Sequence, residues 1–184
     1  VYVRAFSTEG TLRKVTERLP RIRNLGIDVI WLMPVYPIGE EERKGSAGSP
    51  YAVQDFYRVN PELGSAVDLM NLIKKAHDLG IRVILDFVPN HVAPDYQYLR
   101  KQPHLVVRNK EGNPTRKIAE WTDIVDLDYT NADTCSHVSE IMQYWIREFD
   151  VDGYRCDVAG LVPMSFWEMV IPHLKAIKPD LFML

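Results

Sequence analysis

Short apolar segments alternate with longer amphipathic segments along this chain, and the alternation restricts the folds that it can adopt. Apolar runs at 29–33 and 81–87 have the length and composition of buried strands, and segment 65–79 between them has helical periodicity. Parallel strands need a long crossover, which a helix usually provides. The sequence therefore predicts an α/β protein with a parallel sheet and right-handed connections.

The predicted elements make up four β/α units followed by a fifth strand. The predicted strands are 1–6, 29–33, 81–87, 153–157 and 181–184, and the predicted helices are 11–25, 65–79, 138–149 and 166–177. Ser65 followed by Asp68 has the pattern of a capping box at a helix start. Pro20 interrupts the first helical segment, so a kink or two consecutive helices is expected there. Residues 1–184 are predicted to form one domain.

Segment 92–131 contains no long periodic stretch, and prolines and glycines punctuate it. It is too long for a bare connection in a compact domain. We predict an inserted loop or small subdomain between the third strand and the third helix. An earlier stretch, 40–44, is a cluster of charges that we interpret as a solvated loop tip.

The bulk properties exclude two classes of partner. A net charge of −3 offers no basic surface for nucleic acid or for an anionic membrane. No apolar run reaches the roughly 18 to 20 residues of a membrane span. The two cysteines do not make a disulfide framework.

The segment Gly153-Tyr154-Arg155-Cys156-Asp157 is the first candidate for chemistry. Strand side chains alternate, so Arg155 and Asp157 share one face while Tyr154 and Cys156 share the other. The guanidinium would hold Asp157 ionised, which is the state that a carboxylate nucleophile needs. The same two residues could be a structural ion pair at a strand end, and on their own they leave both interpretations open.

A second polar group follows the strand at 81–87. Asp86, Asn90 and His91 lie at its carboxyl end. Because the carboxyl ends of parallel strands meet at one rim, these side chains and Asp157 are expected to lie close together. The sequence therefore predicts a site on that rim.

Four segments resemble those of a known family. DFVPNH at 86–91 and GYRCD at 153–157 resemble the first and second signature regions of the α-amylase family of glycoside hydrolases. GIDVIWLMP at 26–34 resembles that family's second-strand segment, and SPY at 49–51, followed by DFY at 55–57, resembles its aromatic loop. The resemblance implies the amino-terminal portion of a (β/α)₈ TIM barrel, a fold that typically needs about 250 residues.

The resemblance also implies a function and a set of roles. The function is retaining hydrolysis, or transglycosylation, of α-glucosidic bonds in maltooligosaccharides or starch-like glucans, and the chemistry itself needs no cofactor. Asp157 would be the nucleophile and Arg155 would orient it. Tyr51 would stack on a sugar ring, and His91 would hydrogen-bond sugar hydroxyls. Asp86 would support this substrate-binding group from a buried position beside Arg155.

A structural calcium ion is a further implication of the resemblance. Asn90 and Asp126 stand where members of the family often ligate calcium. Hard oxygen ligands suit this cation, although two candidates are fewer than its usual six to eight ligands.

Two departures modify the expectation. The sequence after the nucleophile position is Val158-Ala159-Gly160-Leu161, without the Lys-His pair of many starch-cleaving α-amylases. This favours small maltooligosaccharides, or transfer to another sugar. The family's general acid, a Glu at the end of the fifth strand, does not occur before Leu184, so we expect residues 1–184 alone to be inactive without the missing carboxyl-terminal half of the barrel.

Two other functions stay open at this point. A non-catalytic carbohydrate-binding or structural half-barrel would also lack the acid. An unrelated barrel hydrolase could use Asp86, His91 and Asp157 as metal ligands, although a guanidinium beside Asp157 disfavours a bound cation.

Overall fold

The computed structural model describes residues 1–184 and contains one four-stranded parallel sheet. Its strands, in spatial order, are β1 (Val29–Leu32), β2 (Arg82–Phe87), β5 (Gly153–Cys156) and β6 (Phe182–Met183). A separate antiparallel pair consists of β3 (His91–Val92) and β4 (Val125–Asp126). The helices are α1 (Val3–Phe6), α2 (Leu12–Asn24), α3 (Ala66–Asp78), α4 (Ala132–Phe149) and α5 (Met164–Ile177). None of them is long and apolar enough to cross a membrane.

Local sequence signals account for the main helices. Ser65 caps α3, accepting a hydrogen bond from the Asp68 amide while the Asp68 side chain accepts from the Ser65 amide, so the predicted capping box is confirmed. The apolar stripe of α4 is buried, and Trp145 is fully buried within it. Segment 11–25 forms one helix that contains Pro20, rather than two.

The prediction of a strand over residues 1–6 is wrong. Val1 alone lies beside β1, where its carbonyl oxygen accepts from the Met33 amide and its amino group donates to the Trp31 carbonyl oxygen. Residues 3–6 form the short helix α1. The reason is register, because Val1 is level with the carboxyl end of β1 and the residues after it have no strand beside them.

The long connection between β2 and α4 is tied to the domain at several points. The pair β3–β4 joins its first and last parts, with His91 opposite Asp126. Buried apolar residues of this connection, such as Tyr96, Leu105 and Val125, belong to the same core cluster as the sheet. The segment at 92–131 therefore packs as an insertion on the main core rather than around a core of its own.

The register of β2 and β5 positions the rim. Asp86 lies opposite Arg155, and Phe87 lies opposite Cys156. Tyr154 and Cys156 are buried in the core, as the alternation predicts. Burial raises the pKa of the Cys156 thiol to about 12, so this side chain is an inert core residue rather than a nucleophile.

A buried histidine in α4 makes stability depend on pH. His137 lies in a cluster of tyrosines, with its Nε2 atom 2.7 Å from the Tyr96 hydroxyl oxygen. Burial lowers the pKa of His137 from 6.5 to about 4. The unfolded chain therefore binds a proton more readily, so the contribution of neutral His137 is fully present above pH 6.5 and is lost as the pH falls toward 4.

The expected result is a larger acid destabilisation of the wild type than of a His137→Gln variant. Between pH 7 and pH 4.5, the free energy of unfolding of the wild type should fall by about 2 to 3 kcal/mol more than that of the variant. Urea unfolding at the two pH values measures this difference. An equal loss in both proteins would contradict the assignment to His137.

Candidate active site

Arg155 joins two carboxylates at the carboxyl ends of β2 and β5. Its Nη1 atom lies 2.5 Å from Asp157 Oδ1 and 3.2 Å from Asp86 Oδ1. The Asp157 amide donates to the Phe87 carbonyl oxygen at 2.7 Å, which carries the pairing of β2 and β5 one residue past the strand end. The three charged side chains are therefore fixed by neighbouring strands of one sheet.

Asp86 is the buried member of this group. Its Oδ2 atom accepts hydrogen bonds from the Tyr51 hydroxyl and from Trp31 Nε1, each at 3.1 Å. Burial raises the pKa of Asp86 to about 6, against the opposing effect of Arg155. Because its side chain has no exposed surface, Asp86 acts by holding Tyr51 and Arg155 rather than by touching a ligand.

Asp157 is the accessible carboxylate. Its side chain is 17% exposed, and Arg155 is the only donor that hydrogen-bonds to it. Burial alone would lower the pKa of Arg155, but hydrogen bonds and charge from Asp157 and Asp86 raise it, so the guanidinium stays protonated. Its Cζ atom also lies 5.0 Å from the ring centre of Trp31, within the range of a cation–π contact. The predicted pairing of Arg155 with Asp157 is confirmed as a contact.

The backbone directly after Asp157 is strained. Val158 has φ 45° and ψ 37°, in the left-handed region that β-branched residues rarely adopt. Such a conformation costs on the order of 1 to 3 kcal/mol and is often found at functional sites. It turns the chain away from the sheet, into a short 3₁₀ turn at Ala159–Leu161.

Asp157 opens into a cavity of about 300 Å³. The loop after β1, the insertion and the end of β5 all contribute to its wall. The lining residues are Lys44, Ser49, Tyr51, His91, Trp121, Asp123, Ile124 and Asp157. The structure thus brings together the predicted residues Asp157, Tyr51 and His91.

His91 is held as a neutral imidazole. Burial lowers the pKa of His91, although nearby carboxylates, Asp157 first among them, oppose the effect. The Asn90 amide nitrogen lies 3.1 Å from His91 Nδ1. Because an amide nitrogen only donates, Nδ1 is the acceptor and the ring proton is on Nε2.

The predicted calcium ligands are close together but are occupied by hydrogen bonds. Asn90 Nδ2 lies 3.5 Å from Asp126 Oδ1, and Asp126 Oδ2 accepts from the Lys117 amide at 2.8 Å. In this arrangement Asn90 presents its amide nitrogen, a donor, to Asp126. No group of three or more His, Cys, Asp or Glu side chains is placed to hold a metal ion. The calcium site stays a prediction, and no chemical step depends on it.

Sequence reasoning missed part of the cavity wall. The interpretation of 40–44 as a solvated loop tip agrees with the exposure of Lys44, but it missed that Lys44 also lines the cavity and donates to the Glu120 carbonyl oxygen at 2.8 Å. Trp121 and Asp123 come from the insertion. No local periodicity marks these positions, and only the docking of two long loops brings them to Asp157.

The family is decided by a comparison of the whole chain with known proteins. A family model described as the α-amylase catalytic domain matches residues 4–121 and 118–173. The chain belongs to the α-amylase family. Its parallel sheet is accordingly part of the TIM barrel of that family, while the predicted number of β/α units is not confirmed, since residues 1–6 form no strand of this sheet.

Individual relatives agree with this assignment. The chain is 31% identical over 179 residues to α-amylase 2 of Dictyoglomus thermophilum, covering 94% of this chain and 31% of that protein. The solved α-amylase of Lactobacillus plantarum matches with 42% identity and a TM-score of 0.96, over 100% of this chain and 43% of that one. A maltogenic α-amylase of Thermotoga neapolitana matches with 39% identity and a TM-score of 0.92, again over 100% and 43%. This α-amylase family chain thus spans less than half the length of these relatives.

Proposed function

We propose that the protein is a retaining glycosidase or transglycosylase that acts on α-glucosidic bonds of maltooligosaccharides, with Asp157 as nucleophile. The observation that carries the proposal is the position of Asp157, which is held by Arg155 at a strand end and opens into the cavity lined by Tyr51 and His91. Membership of the α-amylase family supports the substrate class.

In the proposed reaction, the Asp157 carboxylate attacks the anomeric carbon of an α-glucosyl unit. The bond from that carbon to the leaving oxygen breaks, an ester with β configuration forms, and the leaving oxygen takes a proton from a carboxylic acid about 5 to 5.5 Å away from the nucleophile. Water or a sugar hydroxyl then attacks the ester from the α side and gives its proton to the same acid, which is now deprotonated, and the Asp157 carboxylate is restored. The configuration at the anomeric carbon is inverted in each of the two steps, so the product keeps the α configuration of the substrate.

The neighbouring side chains have distinct tasks in this scheme. Arg155 holds Asp157 in place through a hydrogen bond, while Asp86 anchors Arg155 from behind. The Tyr51 ring offers an apolar face to the sugar, with its hydroxyl fixed on Asp86. His91, neutral and protonated on Nε2, is suited to hydrogen-bond a ring hydroxyl as charge develops.

We propose that the proton donor lies outside residues 1–184. Asp86 is fully buried and engaged by three donors, and Asp123 is in an ion pair with Lys44, so we assign neither as the proton donor. We therefore propose that this stretch alone has no turnover, and that activity belongs to the protein at its full natural length. The Val158–Leu161 segment, together with the maltogenic relative, supports short maltooligosaccharides as substrates.

The test is to trap the ester in the protein at its full natural length. A 5-fluoro-α-glucosyl fluoride should inactivate the enzyme, because the fluorine slows breakdown of the ester more than loss of the good leaving group. Peptide mass spectrometry should then find one glycosyl adduct on Asp157. Cleavage of maltotriose without any adduct, or an adduct on another carboxylate, would overturn the nucleophile assignment. Binding of maltotriose without cleavage would favour the non-catalytic carbohydrate-binding alternative.

A further inference from the structure

The two long loops meet at the cavity through a charged pair. Lys44 comes from the loop after β1, and its Nζ atom lies 3.1 Å from Asp123 Oδ1 in the insertion. The same ammonium donates to the Glu120 carbonyl oxygen at 2.8 Å. Lys44 and Asp123 both line the cavity into which Asp157 opens.

Asp123 is under-satisfied for a carboxylate in its position. Its side chain is only 6% exposed, whereas that of Lys44 is 46% exposed. Apart from this ion pair, the Asp123 side chain has no polar protein partner, although buried charged groups usually have several. Lys44 has three N–H donors and makes one hydrogen bond, to the Glu120 carbonyl oxygen, beside its ion pair with Asp123. At the cavity wall, Asp123 can therefore accept further hydrogen bonds and Lys44 can donate further hydrogen bonds.

The pair of Lys44 and Asp123 is not needed to hold the two loops together. Arg116 and Glu42 already connect the same two loops, with a distance of 3.0 Å between Nη1 and Oε2. Arg116 also donates to the carbonyl oxygens of Thr122 and Ile124, which fixes it within the insertion. Neither Arg116 nor Glu42 lines the cavity. A role in ligand binding therefore explains why Lys44 and Asp123 lie on the cavity wall, which a second contact between the loops would not require.

We propose that Lys44 and Asp123 bind the hydroxyl groups of a glucosyl ring in this cavity, and thereby select maltooligosaccharides. A sugar hydroxyl both donates and accepts, so one ring can donate to Asp123 and accept from Lys44. Trp121 adjoins the pair, with its ring centroid 5.5 Å from that of His91, and supplies an apolar wall for the C–H face of the sugar. The inference rests on the proposed function for the identity of the ligand.

The experiment measures maltotriose binding by calorimetry in the full-length protein, in an Asp157→Asn background that prevents turnover. Lys44→Met keeps the length of the side chain and removes its donors, and exposure of this position makes misfolding an unimportant risk. The dissociation constant for maltotriose should rise about tenfold, which corresponds to the loss of a charge-assisted hydrogen bond. The matched control is Glu42→Ala, which removes the acceptor of the other loop contact and should leave the dissociation constant within about twofold of the background.

Three results would overturn the inference: a Lys44→Met constant within twofold of the background, an equal weakening by Glu42→Ala, or no maltotriose binding by the background protein. Cleavage of maltotriose by the wild type is measured separately. Binding that depends on Lys44 in a wild type that does not cleave would uphold the hydroxyl-binding pair while rejecting the proposed catalytic function.

Discussion

An Asp157→Asn variant of the full-length protein is expected to lose maltotriose cleavage by a factor of about 10⁴ or more in kcat. The amide cannot form the glycosyl ester, and no other free carboxylate stands at the end of β5. Initial rates with maltotriose and maltoheptaose measure the loss. The variant should keep its fold, because Arg155 retains its contact with Asp86 and Asp157 is a rim residue.

Two controls separate the chemistry from damage to the site. The melting temperature of the Asn variant should stay within a few degrees of the wild type, since it loses one partly exposed ion pair. In an Asp157→Ala variant, added azide should enter the space of the missing carboxylate and give a β-glucosyl azide from a substrate with a good leaving group. Near-normal cleavage by the Asn variant would remove Asp157 from the role of nucleophile.

A Gly153→Ala variant is expected to lose about 3 kcal/mol or more of unfolding free energy. Gly153 has φ +155°, and a Cβ atom built there would lie 1.8 Å from the Phe182 carbonyl oxygen. The methyl group would therefore force β6 away from β5, where Gly153 pairs with Phe182. Activity should fall with stability, because β5 also positions Arg155 and Asp157.

The matched control is Gly160→Ala, three residues past Asp157. That glycine is exposed, and a Cβ atom there would meet nothing within 4 Å. Its unfolding midpoint in guanidinium should match that of the wild type. A Gly153→Ala protein as stable as the Gly160→Ala protein would show that β6 can move without cost.

Much of the fold follows from local sequence patterns. The alternation of apolar runs and amphipathic segments is enough to predict the parallel sheet, because each pattern repeats with the period of its own secondary structure. The Ser65 capping box and the buried stripe of α4 are likewise signals within a few residues. The contact of Arg155 with Asp157 follows from strand alternation alone.

Other features were decided only by the tertiary structure, because they depend on contacts between residues far apart in the chain. Val1 pairs with β1 but residues 3–6 do not, because the register leaves them beyond the sheet. Trp31 reaches Asp86 across 55 residues, and Lys44 reaches Glu120 across 76. Loops have no periodic pattern of hydrophobic residues from which such contacts could be predicted. The nucleophile candidate could thus be found by alternation and resemblance, whereas the cavity wall that faces it is made by the docking of two loops against the core.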